Sequence, residues 1–352
     1  MKIAFLSFYS GDVTRGVETF VHELANKLVK RGHEVVVYQN GPVLSGARYE
    51  TISIKVACDL YKHNNNIPFL NYFGRRVGVF TLKVLTQLDK DIDIVFPTNG
   101  QWESLLCSLW SKIHRAKLVI AGQSGPGLDD KINLYTLPSV FIALTEDQKK
   151  WAEKALPFMK VKKIPNGADV KRFSKRKDAI EVGLPRPIIL SVSAFVEWKR
   201  LDLVIKAVAG LKKGSLLLVG SGEKEEELRN MGEKLLPGRF KIMSFPHKEM
   251  PQVYAAADIF TFSTVPWESF GIVLVEAMAS GLPVVASNDP KRKEIVGNAG
   301  IFVDPTNKSE YTRALKETLD KKWGDKPRKQ AEKYEWEEIA KEYEKLFKDL
   351  LK

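Results

Sequence analysis

The 352-residue chain contains few of the side chains that cross-link a protein or hold a metal: two cysteines, Cys58 and Cys107, and five histidines. Two cysteines with no CxxC arrangement between them cannot build a disulfide framework and lack metal-ligand spacing, which suits a reducing cytoplasm. No segment supplies the ~20 consecutive apolar residues needed to cross a bilayer, so only peripheral membrane contact is open to it. Internal repeats and low-complexity tracts are absent as well. A surplus of acid is also missing, since 55 Lys and Arg against 43 Asp and Glu leave a net charge of +12. That charge attracts phosphates, nucleic acid or an anionic leaflet, but it is spread along the whole chain and selects no partner by itself. No nucleic-acid module accompanies it, so a nucleic-acid partner is not expected.

What is present is an ordinary globular balance, 44% apolar and 28% charged, in a chain long enough for two cores. Ile3–Tyr9 ends at Gly11-Asp12 with no small-residue cleavage site, and reads as a first strand rather than a leader. Glu34–Tyr38, Ile92–Phe96, Leu118–Ala121 and Val140–Leu144 are further short apolar runs, alternating with helical patterns such as Gly16–Arg31. This predicts a parallel sheet with crossover helices. A second alternation starts at Pro187–Val192 and continues through Leu216–Val219, Arg239–Phe245, Ile259–Ser263, Pro283–Ala286 and Gly300–Val303. Between them, Pro165-Asn166-Gly167 marks a turn and a charged stretch follows. The expected organisation is an N-terminal domain over 1–168, a linker over 169–186, a second domain over 187–334 and a closing helix over 335–352. Apolar Ile339, Tyr343, Leu346, Phe347 and Leu350 at helical spacing should dock that helix on a domain.

The most informative segment runs from Glu268 to Ala286 and reads as loop, helix, turn and strand. Ser269, Phe270 and Gly271 are expected in the first helical turn, where free N–H groups bind a pyrophosphate. Carboxylates at Glu268 and Glu276 would then accept protons from sugar and ribose hydroxyls. The plain alternative is that Glu268 caps the helix and Glu276 is solvated, which the spacing of two glutamates alone favours, since such pairs are common on helices.

The whole string resembles the donor-site signature of the retaining GT-B glycosyltransferases, in particular glycosyltransferase family 4 (glycosyl transferases group 1). The resemblance implies an α/β fold of two Rossmann-like doubly wound domains facing across a cleft, with the C-terminal helix docked back on the first domain. It implies that Glu276 grips the nucleotide ribose, that Glu268 contacts the transferred sugar, and that the backbone of Ser269, Phe270, Gly271 and Ile272 binds the distal phosphate. Gly16-Val17-Glu18 resembles the family's Gly-Val-Glu at the first helix, which places Gly16 near the donor phosphates, with Arg15 where a glycine is usual. Ile164–Asp169, Val219–Glu223 and Ala255–Ile259 are similar to family segments in matching places. Lys199, just after a strand, matches the family lysine that neutralises the leaving diphosphate, although a loop lysine is otherwise a solvated charge. The partner arginine position holds Ala194, which leaves Arg200 or Arg15 to compensate.

A second departure is the absence of the family histidine after the strand Leu118–Ala121, where Gly122-Gln123-Ser124-Gly125 stands instead. Gln123 and Ser124 are candidates for a sugar or acceptor contact; the loop is otherwise a turn. His22, His33, His63, His114 and His247 are read as surface or core residues. Basic and aromatic residues between Ile67 and Leu88, with apolar Val77, Phe80, Val84 and Leu88 at helical spacing, form an ordinary packed helix or, on the sharper reading, a peripheral membrane or lipid-acceptor surface. The function implied is retaining transfer, with no obligatory metal or cofactor, from a UDP-, GDP- or ADP-sugar to a glycan, lipid-linked or small-molecule acceptor, in the cytoplasm or at the inner face of the membrane. A catalytically silent nucleotide-sugar binder and a sugar-nucleotide epimerase of the same fold are the rivals.

Overall fold

The structure is a computed structural model that describes residues 1–13, 16–59, 67–174 and 178–352. The chain divides into two compact units, Met1–Asn166 with Trp336–Lys352, and Gly167–Glu335.

In the first unit, β1 (Lys2–Ser7), β2 (Glu34–Gln39), β3 (Glu50–Ser53), β4 (Ile94–Pro97), β5 (Lys117–Ala121), β6 (Val140–Ala143) and β7 (Val161–Lys163) form one sheet in the order β3-β2-β1-β4-β5-β6-β7. Every pairing is parallel, as in β1 against β2, where Lys2 faces Glu34 and Ser7 faces Gln39. Parallel strands need crossover helices, and these cover both faces. Helices Gly16–Lys30 and Trp336–Leu351 close one face, where Phe20, Leu24 and Leu28 meet Trp336, Tyr343 and Phe347. The C-terminal helix is therefore part of the first unit. Helix Tyr72–Leu85 lies on the other face with Trp102–His114 beside it; Val77, Phe80 and Val84 point inward, and Asn71 caps its start by accepting from Gly74 N–H at 2.6 Å.

In the second unit, β8 (Ile188–Val192), β9 (Ser215–Val219), β10 (Phe240–Met243), β11 (Ile259–Phe262), β12 (Val284–Ser287) and β13 (Gly300–Val303) are ordered β10-β9-β8-β11-β12-β13, again all parallel. The unit begins before 169–186, so the stretch read as a linker falls inside it. Its charged composition hides buried Val170 and Phe173, and its helix Val170–Ser174 packs on helices Ile272–Ala279 and Lys326–Glu332. Ile180 N–H also donates to Gln252 O at 3.2 Å. Among the described residues no helix is long and apolar enough to cross a membrane.

Candidate active site

In an open doubly wound sheet, ligands bind beyond the carboxyl ends of the strands where the strand order reverses. In the second unit that point lies between β8 and β11. The loop after β8 carries Lys199, and the loop after β11 carries Glu268 to Gly271. The topology thus brings together residues that are 69 apart in sequence: Lys199 Nζ lies 2.8 Å from Glu268 Oε2, with both side chains about 15% exposed. A partly buried pair of this kind is held mainly by its surroundings, and here these are explicit. Lys291 Nζ donates to Glu268 O at 2.9 Å. Arg292, fully buried, donates to Ser269 O at 2.7 Å and Glu268 O at 3.1 Å, and its charge is paired with Asp289 at 3.0 Å. Two cations therefore fix the carbonyls of the loop and leave the Glu268 carboxylate to face Lys199.

Helix Ile272–Ala279 starts later than expected. Gly271 has φ +79°, a left-handed conformation in which an added Cβ would also press on Phe262 at 3.3 Å, so Ser269, Phe270 and Gly271 precede the helix instead of forming its first turn. The first turn begins at Ile272, and its leading N–H groups have no acceptor within the helix. A second glycine shapes the neighbouring loop. Gly220 (φ +146°) brings its Cα so near Ser193 O that a Cβ there would lie 1.9 Å from it, and Phe195 N–H donates to Ser221 O at 2.8 Å.

Glu276 is the one carboxylate in an otherwise apolar helix, Ile-Val-Leu-Val-Glu-Ala-Met-Ala, and is 6% exposed. A buried charge persists only when hydrogen-bonded. The Tyr254 hydroxyl donates to Glu276 Oε2 at 2.8 Å, and His247 Nε2 lies 3.3 Å from Oε1. Burial and the adjacent carboxylate hold the Tyr254 hydroxyl well above the ordinary tyrosine range, so it remains a donor. Arg172 in turn donates to His247 O at 2.6 Å and lies 3.4 Å from Nδ1. The sequence reading set His247 aside; the structure places it beside Glu276. Arg172, Tyr254, Asp289, Lys291 and Arg292 were missed as well. The only local signal for any of them was Asp289-Pro290, a helix cap followed by proline at the first position.

The remaining expected residues divide. Arg200 closes the short turn Glu197–Lys199 with φ +51°, and its charge helps to hold the Asp304 carboxyl below the usual range, after the Thr306 hydrogen bonds. Ala194 is exposed in the same loop. Gly16 is exposed at the start of helix Gly16–Lys30 in the first unit. Arg15 and His63 lie outside the described residues. Gln123 is occupied by a reciprocal amide pair with Asn166, at 3.2 and 3.0 Å, while Ser124 is exposed with its N–H 3.4 Å from Asp130 Oδ1. Among the described residues, no group of three or more His, Cys, Asp or Glu side chains gathers closely enough to hold a metal ion.

The first unit has its own strand-order reversal, between β1 and β4, and an open pocket of about 370 Å³ there. Tyr9, Asn71, Phe73, Asn99, Gln101 and Asp129 contribute to its wall. Gln101 spans the rim, accepting from Phe69 N–H at 2.8 Å and donating to Asp129 at 3.3 Å. Two buried carboxyls brace the loops behind it. Glu103 accepts from the N–H groups of Thr98 and Asn99, both at 2.7 Å, and burial pushes it up to about 8. Asp130 accepts from Gln148 Nε2 at 2.7 Å, and burial pushes it up to about 7.

Two family models match adjoining stretches of the chain, Glycosyltransferase Family 4 over residues 14–172 and Glycosyl transferases group 1 over residues 173–338. A phosphatidyl-myo-inositol mannosyltransferase of Mycobacterium leprae is 25% identical, over 99% of this chain and 96% of its own length. A GDP-mannose-dependent alpha-(1-6)-phosphatidylinositol monomannoside mannosyltransferase of Mycolicibacterium smegmatis is 30% identical over 49% of this chain and 50% of its own. Among solved structures, HepE of Anabaena in complex with UDP and glucose has the same fold, with TM-score 0.78, 20% identity and coverage of 99% of this chain and 100% of that one. Sequence signature, doubly wound units and matched models agree, and the chain belongs to glycosyltransferase family 4, a glycosyltransferase of GT-B fold that uses a nucleotide sugar.

Proposed function

We propose that the protein transfers a hexosyl group, with retention of anomeric configuration, from a nucleoside diphosphate sugar to a hydroxyl on the polyol headgroup of a lipid. The observation that carries this reading is the Lys199–Glu268 pair at 2.8 Å, whose glutamate lies in the loop that leads into helix Ile272–Ala279, the helix that carries Glu276. The helix N–H groups and Lys199 suit a diphosphate, and the two carboxylates suit the hydroxyls of sugar and ribose at its two ends. As the sugar C1–O bond breaks, its electron pair passes to the β-phosphate oxygen, and Lys199 offsets the charge that grows there. The acceptor oxygen bonds to C1 on the same face, and its proton passes to the departing phosphate. Mannose from GDP-mannose is the donor to test first, because the M. smegmatis relative bears that name.

The pocket of the first unit supports the acceptor assignment. Its aromatic faces and amide and carboxylate groups suit a ring bearing several hydroxyls. Asn71, Phe73 and Val77 belong to the wall, while the same helix turns outward a stripe of Arg75, Val79, Leu82 and Lys83, preceded by exposed Ile67 and Leu70. Apolar and basic residues on one exposed face suit an anionic lipid surface, where the headgroup of a lipid acceptor would be presented.

A thermal-shift panel of GDP-mannose, UDP-glucose and ADP-glucose, followed by transfer to phosphatidylinositol in vesicles, tests this. One donor should raise the melting temperature by mass action, and the product should keep the donor's α configuration in its NMR coupling. A product of inverted configuration would refute retention, and no shift with any donor would refute the site.

A further inference from the structure

We propose that His247 and Arg172 act together as positioning residues for Glu276, and so set how strongly the site selects a ribose diol. The inference rests on the reading that Glu276 holds the nucleotide ribose. A guanidinium has only donors, so Arg172, at 3.4 Å, requires the lone pair of His247 on Nδ1. The ring proton then resides on Nε2, which points at Glu276 Oε1 at 3.3 Å. Arg172 also ties down the loop itself through His247 O at 2.6 Å, and Phe173 next to it packs on both His247 and Tyr254. Tyr254 holds the second carboxylate oxygen at 2.8 Å. Each oxygen of Glu276 thus receives one fixed donor from the protein and keeps lone pairs for two hydroxyls on a neighbouring ribose.

The arrangement differs from simple packing in one respect. His247 has about a third of its side chain exposed while Glu276 has under a tenth, so the imidazole is the more solvent-accessible member of the pair. Removing the imidazole should therefore free the carboxylate to rotate and lower its preference for a cis-diol, without emptying the site.

The test is a set of isothermal titrations using whichever of GDP, UDP and ADP binds the parent most tightly, together with its 2′,3′-dideoxy counterpart. The readout is the ratio of the two dissociation constants. Glu276→Ala should bring that ratio near one; if Glu276→Ala keeps the parental ratio, the ribose reading itself is wrong. With that reading standing, His247→Ala should lower the ratio at least about fivefold, the size of one typical lost hydrogen bond. His247→Gln, whose amide N–H reaches the place of Nε2–H, should recover most of it. Arg172→Leu should lower the ratio by a smaller factor in the same direction and checks the chain independently of any folding defect at 247. An unchanged ratio in His247→Ala, or an equal weakening of both nucleotides, would overturn the inference and leave His247 a loop residue.

Discussion

The two units wind their sheets alike, yet they brace their candidate sites by opposite electrostatic means. In the second unit the loop after β11 is pinned by cations with partners: Arg292 against Asp289, Lys291 on a carbonyl, Lys199 against Glu268. In the first unit the loops after β4 and β5 are pinned by carboxyls that burial drives toward the neutral form, Glu103 and Asp130. If, as proposed, the loop of the second unit meets a diphosphate, it gains from charges already in place, since their reorganisation does not then accompany reaction. If the pocket of the first unit takes an uncharged polyol, as proposed, it needs shape and hydrogen bonds more than charge.

The comparison breaks most severely at Arg292. Arg292→Met should destabilise the second unit by about 3–5 kcal/mol, because Asp289 would be left buried without its ion-pair partner, Ser269 O would lose its guanidinium donor, and Glu268 O and Val265 O would each lose one of two donors. Urea unfolding followed by fluorescence measures this, and a change of only a few tenths would mean the loop is held elsewhere. Next in size, Lys199→Ala should lower kcat about 100- to 1000-fold while changing nucleotide affinity far less, since charge on the leaving phosphate grows only on the way to the transition state. Steady-state kinetics with the cognate donor would show it; a loss of affinity with kcat unchanged would place Lys199 in binding alone.

The first unit should answer to pH instead. Glu103 and Asp130 keep their protons in the folded chain up to about 8 and about 7, against ordinary values of 4.5 and 3.8. The stability they contribute is complete below about pH 4 and is lost as pH rises through the folded values, because the unfolded chain then binds fewer protons. Glu103→Gln keeps an acceptor for Thr98 and Asn99 and removes the titration. Its melting temperature should therefore fall less than the parent's between pH 5 and 8, and parallel curves would disprove the assignment.

What the sequence makes legible follows from range. The strand runs, the helix from Trp336 to Leu351 and the segment from Glu268 to Gly281 are written in local periodicity and turn residues. β3 was not expected, because Glu50–Ser53 is a short edge strand with no buried residue and hence no alternation to read. The start of helix Ile272–Ala279 was misplaced by three residues because a glycine within an apolar run does not disclose its φ. His247 and Glu276 are 29 residues apart, and Arg172 and His247 are 75 apart. Pairs at such separations can be read only once the strand order is known, and composition carries no trace of them. Membership of the family pointed to Glu268, Glu276 and Lys199 but to none of the residues that hold them.

Nucleotide affinity in paired variants, one from each unit, tests the central claim that the donor nucleotide belongs to the second unit. Glu276→Ala should weaken the cognate nucleoside diphosphate by about 1–3 kcal/mol, roughly 5- to 150-fold, through loss of a charged hydrogen bond. Gln101→Ala, on the rim of the first unit's pocket, should leave that affinity unchanged while raising KM for the acceptor. Unchanged nucleotide binding in Glu276→Ala, or a larger loss in Gln101→Ala, would contradict the account.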